Sequence, residues 1–354
     1  MRSPLRFLLS SVILIALLLT GCATGNPPGG TSGDAPMPRT AATRTVTDME
    51  GRQVEVPKTI ESVVSIGSVP VINSLIFALG RGELIANTLP EWASSAGQWK
   101  YQYVFAPQIT DAPLVQGADG PLTEKLLEMD PDVILTMEKA MIEPLEAVGL
   151  TVVVISVTSS LEMKNQINLL GEILDAPERA ADYIEWYDDA VSRLADKVAA
   201  ASADQRSALY LGHEGMRRPN IVSEWWIPAA GGLSVTADRT EQRLTFDSEQ
   251  LIGWDPDVIF LISAGEVETV LADPQLQTMT AVKNEEVYVT PIAAHPWGNR
   301  TTEQPLTAFW AATKLYPDAV SYADLRAEAE HFYANIYRVD LTDEQLDEIV
   351  SGRR

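Results

Sequence analysis

One short pattern occurs twice in this chain, once on each side of a long predicted helix. Each copy has a glutamate, apolar residues, the sequence Asp-Pro-Asp-Val-Ile and an apolar strand, and the copies run from Glu124 to Thr136 and from Glu249 to Ile262. A helix that stops at a proline and leads into a buried strand is typical of parallel α/β sheets. The repeat therefore predicts two halves that are built alike.

The segment between the copies predicts one long helix over residues 175–202. Asp175 and Glu178, with Pro177 in the first turn, indicate the helix start. Apolar residues then recur at spacings of three and four: Ala180, Tyr183, Ile184, Tyr187, Val191, Leu194 and Val198. At about 1.5 Å per residue this helix spans roughly 37 Å, about the width of a domain. An ordinary surface helix is the alternative, and the flanking repeat favours a bridge between two lobes.

The elements on both sides of this helix predict an α/β protein with parallel sheets. A hairpin around Gly51 precedes the first buried strand at residues 62–66, and strands then alternate with helices. The predicted organisation is a signal peptide at 1–21, a flexible tether at 22–43, an N-terminal lobe at 44–174, the bridging helix at 175–202 and a C-terminal lobe at 203–354.

The first 22 residues have the pattern of a secretory signal. Two arginines precede a short apolar stretch that ends in Leu19-Thr20-Gly21-Cys22. This resembles the lipobox of bacterial lipoproteins, which implies that Cys22 is lipidated. A membrane-spanning anchor is the alternative, but the apolar stretch is shorter than the roughly 20 residues that a span needs. Cys22 is the only cysteine, so no disulfide is expected.

The chain is strongly acidic. Its net charge is −23, and removal of residues 1–21 with Arg2 and Arg6 makes it −25, because −23 − 2 = −25. Such a surface repels nucleic acid and anionic lipid, so neither is expected as a partner. The tether contains too few large apolar side chains to pack.

Five aromatic residues are concentrated in the polar segment between the first predicted helix and the first repeat. They are Trp92, Trp99, Tyr101, Tyr103 and Phe105. We interpret this segment as a functional loop, because a long loop rich in aromatic residues is seldom structureless. The alternative is that the rings only cover the edge of the sheet.

Taken together, these features resemble the solute-binding proteins of bacterial iron-siderophore and cobalamin ABC importers. The resemblance covers about residues 44–350 and depends on the lipobox, DMEGRQVEVP followed by IESVVSIG, the doubled unit, Ala229-Ala230-Gly231-Gly232 and EQPLTAFWAATKLYPD. It implies two Rossmann-like lobes with parallel sheets, joined by a single long bridging helix. It also implies a ligand in the cleft between the lobes and delivery to a permease dimer with its ATPase subunits.

Ligands of open parallel sheets bind beyond the carboxyl ends of the strands, so the loops that follow the strands are candidate sites. Arginine suits anionic oxygen atoms, tryptophan and tyrosine supply flat walls, and histidine can ligate a metal. The candidates are Trp99, Tyr101, Tyr103, His213, Arg217, Arg218, Trp225, Trp226, His295, Trp297 and Arg300. The alternatives are salt bridges for the arginines, ordinary hydrogen bonds for the histidines and a lobe interface for the tryptophans.

Glu124 and Glu249 occupy equivalent positions in the two copies of the repeat. The resemblance implies that they pair with arginines of the two permease subunits. A glutamate in the first turn of a helix is also favoured by the helix dipole without any partner, which is the alternative.

The sequence lacks the signatures of the common hydrolases, since it contains neither GxSxG nor HExxH and has no cysteine beyond Cys22. We therefore expect a monomeric, lipid-anchored, extracytoplasmic capture protein without catalytic activity or a resident cofactor. Its expected ligand is a metal chelate, with a ferric siderophore preferred over cobalamin, haem or a bare oxyanion. An extracellular metal-dependent enzyme and a sensory lipoprotein are the alternatives from other classes.

Overall fold

The computed structural model describes residues 42–94, 97–156, 159–201 and 204–352. The predicted signal peptide, Cys22 and all but the end of the predicted tether lie outside these residues. Within the described ranges, no helix is long and apolar enough to cross a membrane.

The strands in the first half of the described chain are β1 (Thr43–Thr47), β2 (Gln53–Pro57), β3 (Val63–Ile66), β4 (Gln116–Gly117), β5 (Gly120–Pro121), β6 (Val133–Thr136) and β7 (Val152–Val154). Three of them form the parallel sheet of this half, in the order β3-β6-β7. Its helices are α1 (Val69–Ala78), α2 (Glu91–Ser94), α3 (Lys100–Phe105), α4 (Thr123–Met129), α5 (Ile142–Glu146) and α6 (Ser160–Ile173). The predicted hairpin is the antiparallel pair β1 and β2.

Both faces of this sheet are buried, as expected for a parallel sheet between helices. Val63 and Leu135 pack on the face covered by α1, whereas Val64 and Ile134 pack on the opposite face with Leu145 of α5. The period of two along each strand places successive side chains on opposite faces.

The strands in the second half are β8 (Ser207–Leu211), β9 (Arg217–Arg218), β10 (Leu233–Ser234), β11 (Leu244–Thr245), β12 (Val258–Leu261) and β13 (Val287–Val289). Four of them form the parallel sheet of this half, in the order β10-β8-β12-β13. Its helices are α8 (Ser223–Ala229), α9 (Ser248–Trp254), α10 (Val267–Ala272), α11 (Thr280–Lys283), α12 (Gln304–Leu315), α13 (Tyr322–His331), a π-helix (Phe332–Tyr337) and α14 (Asp343–Ser351). The helical tail was predicted, and α14 begins at Thr342, whose hydroxyl accepts from the backbone N–H of Gln345.

Helix α7 (Pro177–Ala200) connects the two halves and confirms the predicted long helix. Its 24 residues span about 36 Å. The predicted start is wrong in detail, because Asp175 has a positive φ of 53° and Ala176 occupies the N-cap position without a side-chain cap. Trp186 also joins the buried face of this helix.

The repeated Asp-Pro-Asp unit has the same structural role in both halves. The first aspartate of each copy, Asp130 or Asp255, ends its helix in the left-handed conformation. The second aspartate accepts hydrogen bonds at the start of a neighbouring strand. Asp132 accepts from the two backbone N–H groups before β3 at 2.7 and 3.0 Å, and Asp257 accepts from the Ser207 N–H at 2.7 Å. The unit therefore attaches a helix end to a strand start.

The aromatic segment differs from the predicted loop, because much of it is helical, in α2 and α3. Tyr101 and Phe105 are buried, and the Phe105 ring stacks on Tyr333 at 5.5 Å. The Tyr101 hydroxyl donates to the Gln345 carbonyl of α14 at 3.1 Å. Burial of these rings against the C-terminal helices supplies the free energy that makes a polar segment helical.

Candidate ligand-binding site

A cavity of about 660 Å³ opens at the carboxyl ends of β8, β12 and β13. This is the edge of a parallel sheet at which ligands bind. Its lining consists of Arg217, Pro219, Asn220, Arg243, Thr245, Ile262, His295, Asn299 and Arg300. Four segments of the second half supply these residues.

Three arginines make this cavity cationic in a protein whose net charge is −23. Arg217 donates to the backbone carbonyl of Glu214 at 2.6 Å. Among the described residues, neither Arg217, Arg243 nor Arg300 has an acidic ion-pair partner, and no acidic residue lines the cavity. Burial and the positive charge of Arg243 lower the pKa of Arg300. An anionic ligand would relieve this repulsion and accept hydrogen bonds from the guanidinium groups.

His295 forms the aromatic side of the cavity. Burial, assisted by the charge of Arg300, lowers its pKa to about 3, so the imidazole is neutral at neutral pH. Its Nδ1 is buried and has no hydrogen-bond partner. The ring of Trp99 lies 5.3 Å from the His295 ring at an interplanar angle of 33°. The first half of the chain thus contacts this lining residue through the buried Trp99, which does not itself line the cavity.

A larger cavity, of about 1010 Å³, lies between α7 and the helix α13. It is lined by charges that neutralise one another: Arg193 pairs with Glu328 at 2.8 Å and Lys197 with Asp324 at 3.0 Å. Because three of its four arginine and lysine side chains already pair with acidic residues, this cavity is a weaker candidate for binding an anionic ligand than the arginine-lined one.

Comparison with known proteins identifies the family. The sequence model described as periplasmic binding protein matches residues 84–294, which is more than half of the 354 residues. The chain belongs to the periplasmic binding protein family. No curated protein sequence matches it.

Solved structures share the fold of this periplasmic binding protein. A periplasmic solute-binding protein of Veillonella parvula is 24% identical, with a TM-score of 0.73 over 87% of this chain and 97% of that chain. The molybdate-binding protein MolA of Haemophilus influenzae, bound to molybdate, is 21% identical, with a TM-score of 0.73 over 84% and 99%. CeuE of Helicobacter pylori, in a nickel-histidine complex, is 16% identical, with a TM-score of 0.69 over 86% and 98%. The predicted α/β fold of two lobes joined by a long helix is confirmed.

Four of the predicted site residues of this periplasmic binding protein come together at the cavity. Arg217, His295 and Arg300 line it, and the buried Trp99 packs against His295 with the two rings tilted by 33°. Arg243 is a lining residue that the sequence analysis missed. The antiparallel pairing of β9 and β11 brings Arg243 close to Arg217, and no local sequence pattern predicts this pairing.

Arg218, Trp226 and Trp297 do not line the cavity, because all three are fully buried. The Arg218 guanidinium pairs with Glu224 at 2.8 Å, which is the salt bridge considered as its alternative. The Trp226 indole donates to the Gly298 carbonyl at 3.2 Å. These side chains support the loops of the site from behind.

The remaining predicted contacts also lie away from the lining. Trp225 packs on Tyr187 of α7 at 5.5 Å, and Tyr103 packs against the core. The His213 Nε2 lies 4.0 Å from Asp273. Tyr101 is turned toward α14, as described above. Among the described residues, no group of three or more histidine, cysteine or acidic residues could hold a metal ion.

Glu124 and Glu249 are both exposed, in the first turns of α4 and α9. Neither takes part in a salt bridge within the described part of the chain. The two side chains are therefore accessible to a partner.

Proposed function

We propose that this periplasmic binding protein is the solute-binding component of an ABC importer and that it captures a ferric siderophore in the arginine-lined cavity. The observation that supports this proposal is the convergence of Arg217, Arg243 and Arg300 without acidic partners. Guanidinium groups bind carboxylate and catecholate oxygens in pairs of hydrogen bonds. A siderophore supplies several such oxygens on one ligand and carries the metal with its own ligand set.

The size and the walls of the cavity favour a chelate over a small anion. Its volume of about 660 Å³ lies in the range of roughly 300–1,000 Å³ that is usual for pockets that hold organic ligands. His295 lines the cavity with the buried Trp99 packed against it, and its ring offers a stacking surface to an aromatic ring of the ligand. A tetrahedral oxyanion such as molybdate would use the arginines but leave this face uncovered.

Haem and cobalamin are the other candidates. Haem carries two carboxylates and would use the arginines only at its edge. A corrinoid is bulky but carries little negative charge, so three arginines without acidic partners fit it less well than a polyanionic chelate.

We further propose that the protein is a monomer anchored through a lipid on Cys22 and that Glu124 and Glu249 dock it on the permease dimer. Their accessibility and their equivalent positions in the repeat support this role. Delivery requires no chemical change of the ligand, so no turnover is expected.

Titration of tryptophan fluorescence tests the ligand proposal. Ferric 2,3-dihydroxybenzoate complex, haem, cobalamin and molybdate are added separately to the purified protein. The ferric complex is expected to bind most tightly, and Arg300→Gln to weaken its binding at least tenfold, or about 1.4 kcal/mol, as for a buried anchor residue.

Arg239→Gln is the matched control, because Arg239 pairs with Asp238 at 3.3 Å and does not line the cavity. Its affinity should equal that of the wild type. Tighter binding of molybdate than of the ferric complex, or equal affinity of the Arg300 and Arg239 variants, would contradict the proposal.

A further inference from the structure

A buried carboxylate lies directly behind the loop that carries three of the seven polar residues lining the cavity. Loop 294–301 contributes His295, Asn299 and Arg300 to the cavity. Glu303, at the N-cap position of α12, has no exposed surface. It is the first residue of the segment EQPLTAFWAATKLYPD, was not among the candidate site residues, and contacts no lining side chain through its carboxylate.

The Glu303 carboxylate accepts hydrogen bonds from both ends of this loop. One oxygen accepts from the Ala294 N–H at 3.3 Å and from the Tyr333 hydroxyl at 2.6 Å. The other accepts from the His295 N–H at 3.4 Å and from the Thr301 hydroxyl at 2.7 Å. One side chain thereby joins the start of the loop, its end and the π-helix.

The start of this loop, at Ala294, is also held by a residue of the first half of the chain. Gln102 of α3 donates to the Ala294 carbonyl at 2.6 Å and to the Pro70 carbonyl at 3.0 Å. Asn73 of α1 donates in turn to the Gln102 side-chain oxygen at 2.9 Å. The Ala294 peptide groups are therefore fixed by Gln102 on one side and by Glu303 on the other.

We propose that Glu303 is the positioning residue of the cavity, which holds loop 294–301 in the one conformation that directs His295 and Arg300 toward the ligand. This inference rests on the proposed function only in treating the cavity as the ligand site. The carboxylate acts through the loop backbone and does not touch the ligand.

The cost of burying this group supports a specific role. Burial raises the pKa of Glu303, and the hydrogen bonds from Tyr333 and Thr301 only partly oppose this shift. An apolar residue would fill the same space without that cost. A fully hydrogen-bonded buried polar group instead selects a single geometry of the groups around it.

Glu303→Gln separates positioning from simple space filling. A hydroxyl can change from donor to acceptor, so Tyr333 and Thr301 adapt to the new amide group. A backbone N–H cannot change its role, and glutamine offers one acceptor oxygen where glutamate offers two. Either Ala294 or His295 must therefore lose its hydrogen-bond acceptor.

The test is amide hydrogen exchange of the folded full chain, read by NMR without ligand. In Glu303→Gln, exchange at Ala294 or His295 is expected to accelerate at least tenfold, while the amides of β8 and β12 keep their rates. Glu328→Gln is the matched control, since the Glu328 carboxylate accepts from Trp186 and Arg193 and not from the amides of this loop. It should leave both loop amides unchanged.

Affinity for the ferric 2,3-dihydroxybenzoate complex is the second measurement, and it should fall at least tenfold in Glu303→Gln. Because exchange is measured without ligand, failure of the ferric complex to bind would count against the proposed function and not against the positioning role. Tyr333→Phe serves if the first variant does not fold, with a smaller local acceleration expected. Unchanged loop exchange, or equal acceleration throughout the chain, would overturn the inference.

Discussion

His295 should make the stability of this protein sensitive to mildly acidic pH. Its ring is partly buried beside Arg300, and its folded-state pKa is lowered to about 3, whereas an unfolded histidine titrates near 6.5. Below pH 6.5 this histidine is therefore protonated in the unfolded chain but stays neutral in the folded protein until the pH approaches 3. The stability that the neutral imidazole provides is complete above pH 6.5 and is lost as the pH falls toward 3.

The magnitude follows from the size of the shift. Each pH unit below 6.5 costs about 1.4 kcal/mol of the free energy of unfolding. From pH 7 to pH 5 the loss is at most about 2 kcal/mol, and the partly open edge of the ring reduces it. A bound anion next to the ring would favour its protonated form and reduce the loss further.

Urea denaturation of the wild type and of His295→Gln, each at pH 7 and pH 5, measures this effect. The comparison removes every other titrating group, because the two proteins differ only at this position. The stability difference between wild type and variant should shift by about 1–2 kcal/mol against the wild type at pH 5. Parallel pH profiles of the two proteins would show that His295 titrates normally and would refute the reasoning.

Two further predictions concern the repeat. Charge reversal of both Glu124 and Glu249 to lysine should abolish uptake while ligand affinity and melting temperature stay unchanged, because exposed rim charges act on docking more than on folding; uptake that survives in cells with normal protein levels would exclude the docking role. Asp257→Asn should lower the free energy of unfolding by about 1–2 kcal/mol, because its hydrogen bonds to Ser207 lose the charge of the acceptor. The exposed Asp238→Asn is the control, and an equal effect of the two variants in urea denaturation would contradict this role.

The scaffold was predictable from the sequence because its signals are local. Apolar residues at helical spacing predicted α7, and short apolar runs after Asp-Pro-Asp predicted β6 and β12. The structural role of the repeated Asp-Pro-Asp unit could not be predicted in this way, because it depends on contacts between distant segments. Asp132 and Asp257 accept hydrogen bonds from backbone N–H groups at strand starts that lie 70 and 50 residues away in the chain.

The position of the arginine-lined cavity could be predicted better than the residues that line it. Parallel strands place their following loops at one edge, which led to Arg217, His295 and Arg300. The sequence could not separate Arg217 from Arg218, because adjacent residues of a strand point to opposite sides. One lines the cavity, and the other is buried against Glu224.

By itself, then, the sequence determined the α/β class, the long helix and the strand ends at which the arginine-lined cavity lies, because neighbours in the chain encode these features through periodicity and helix or strand boundaries. Only the tertiary structure decided that Arg243 joins the cavity, that Trp99 faces His295 and that Glu303 lies behind the loop. Each of these depends on segments far apart in sequence that meet only when the strands pair and the helices pack.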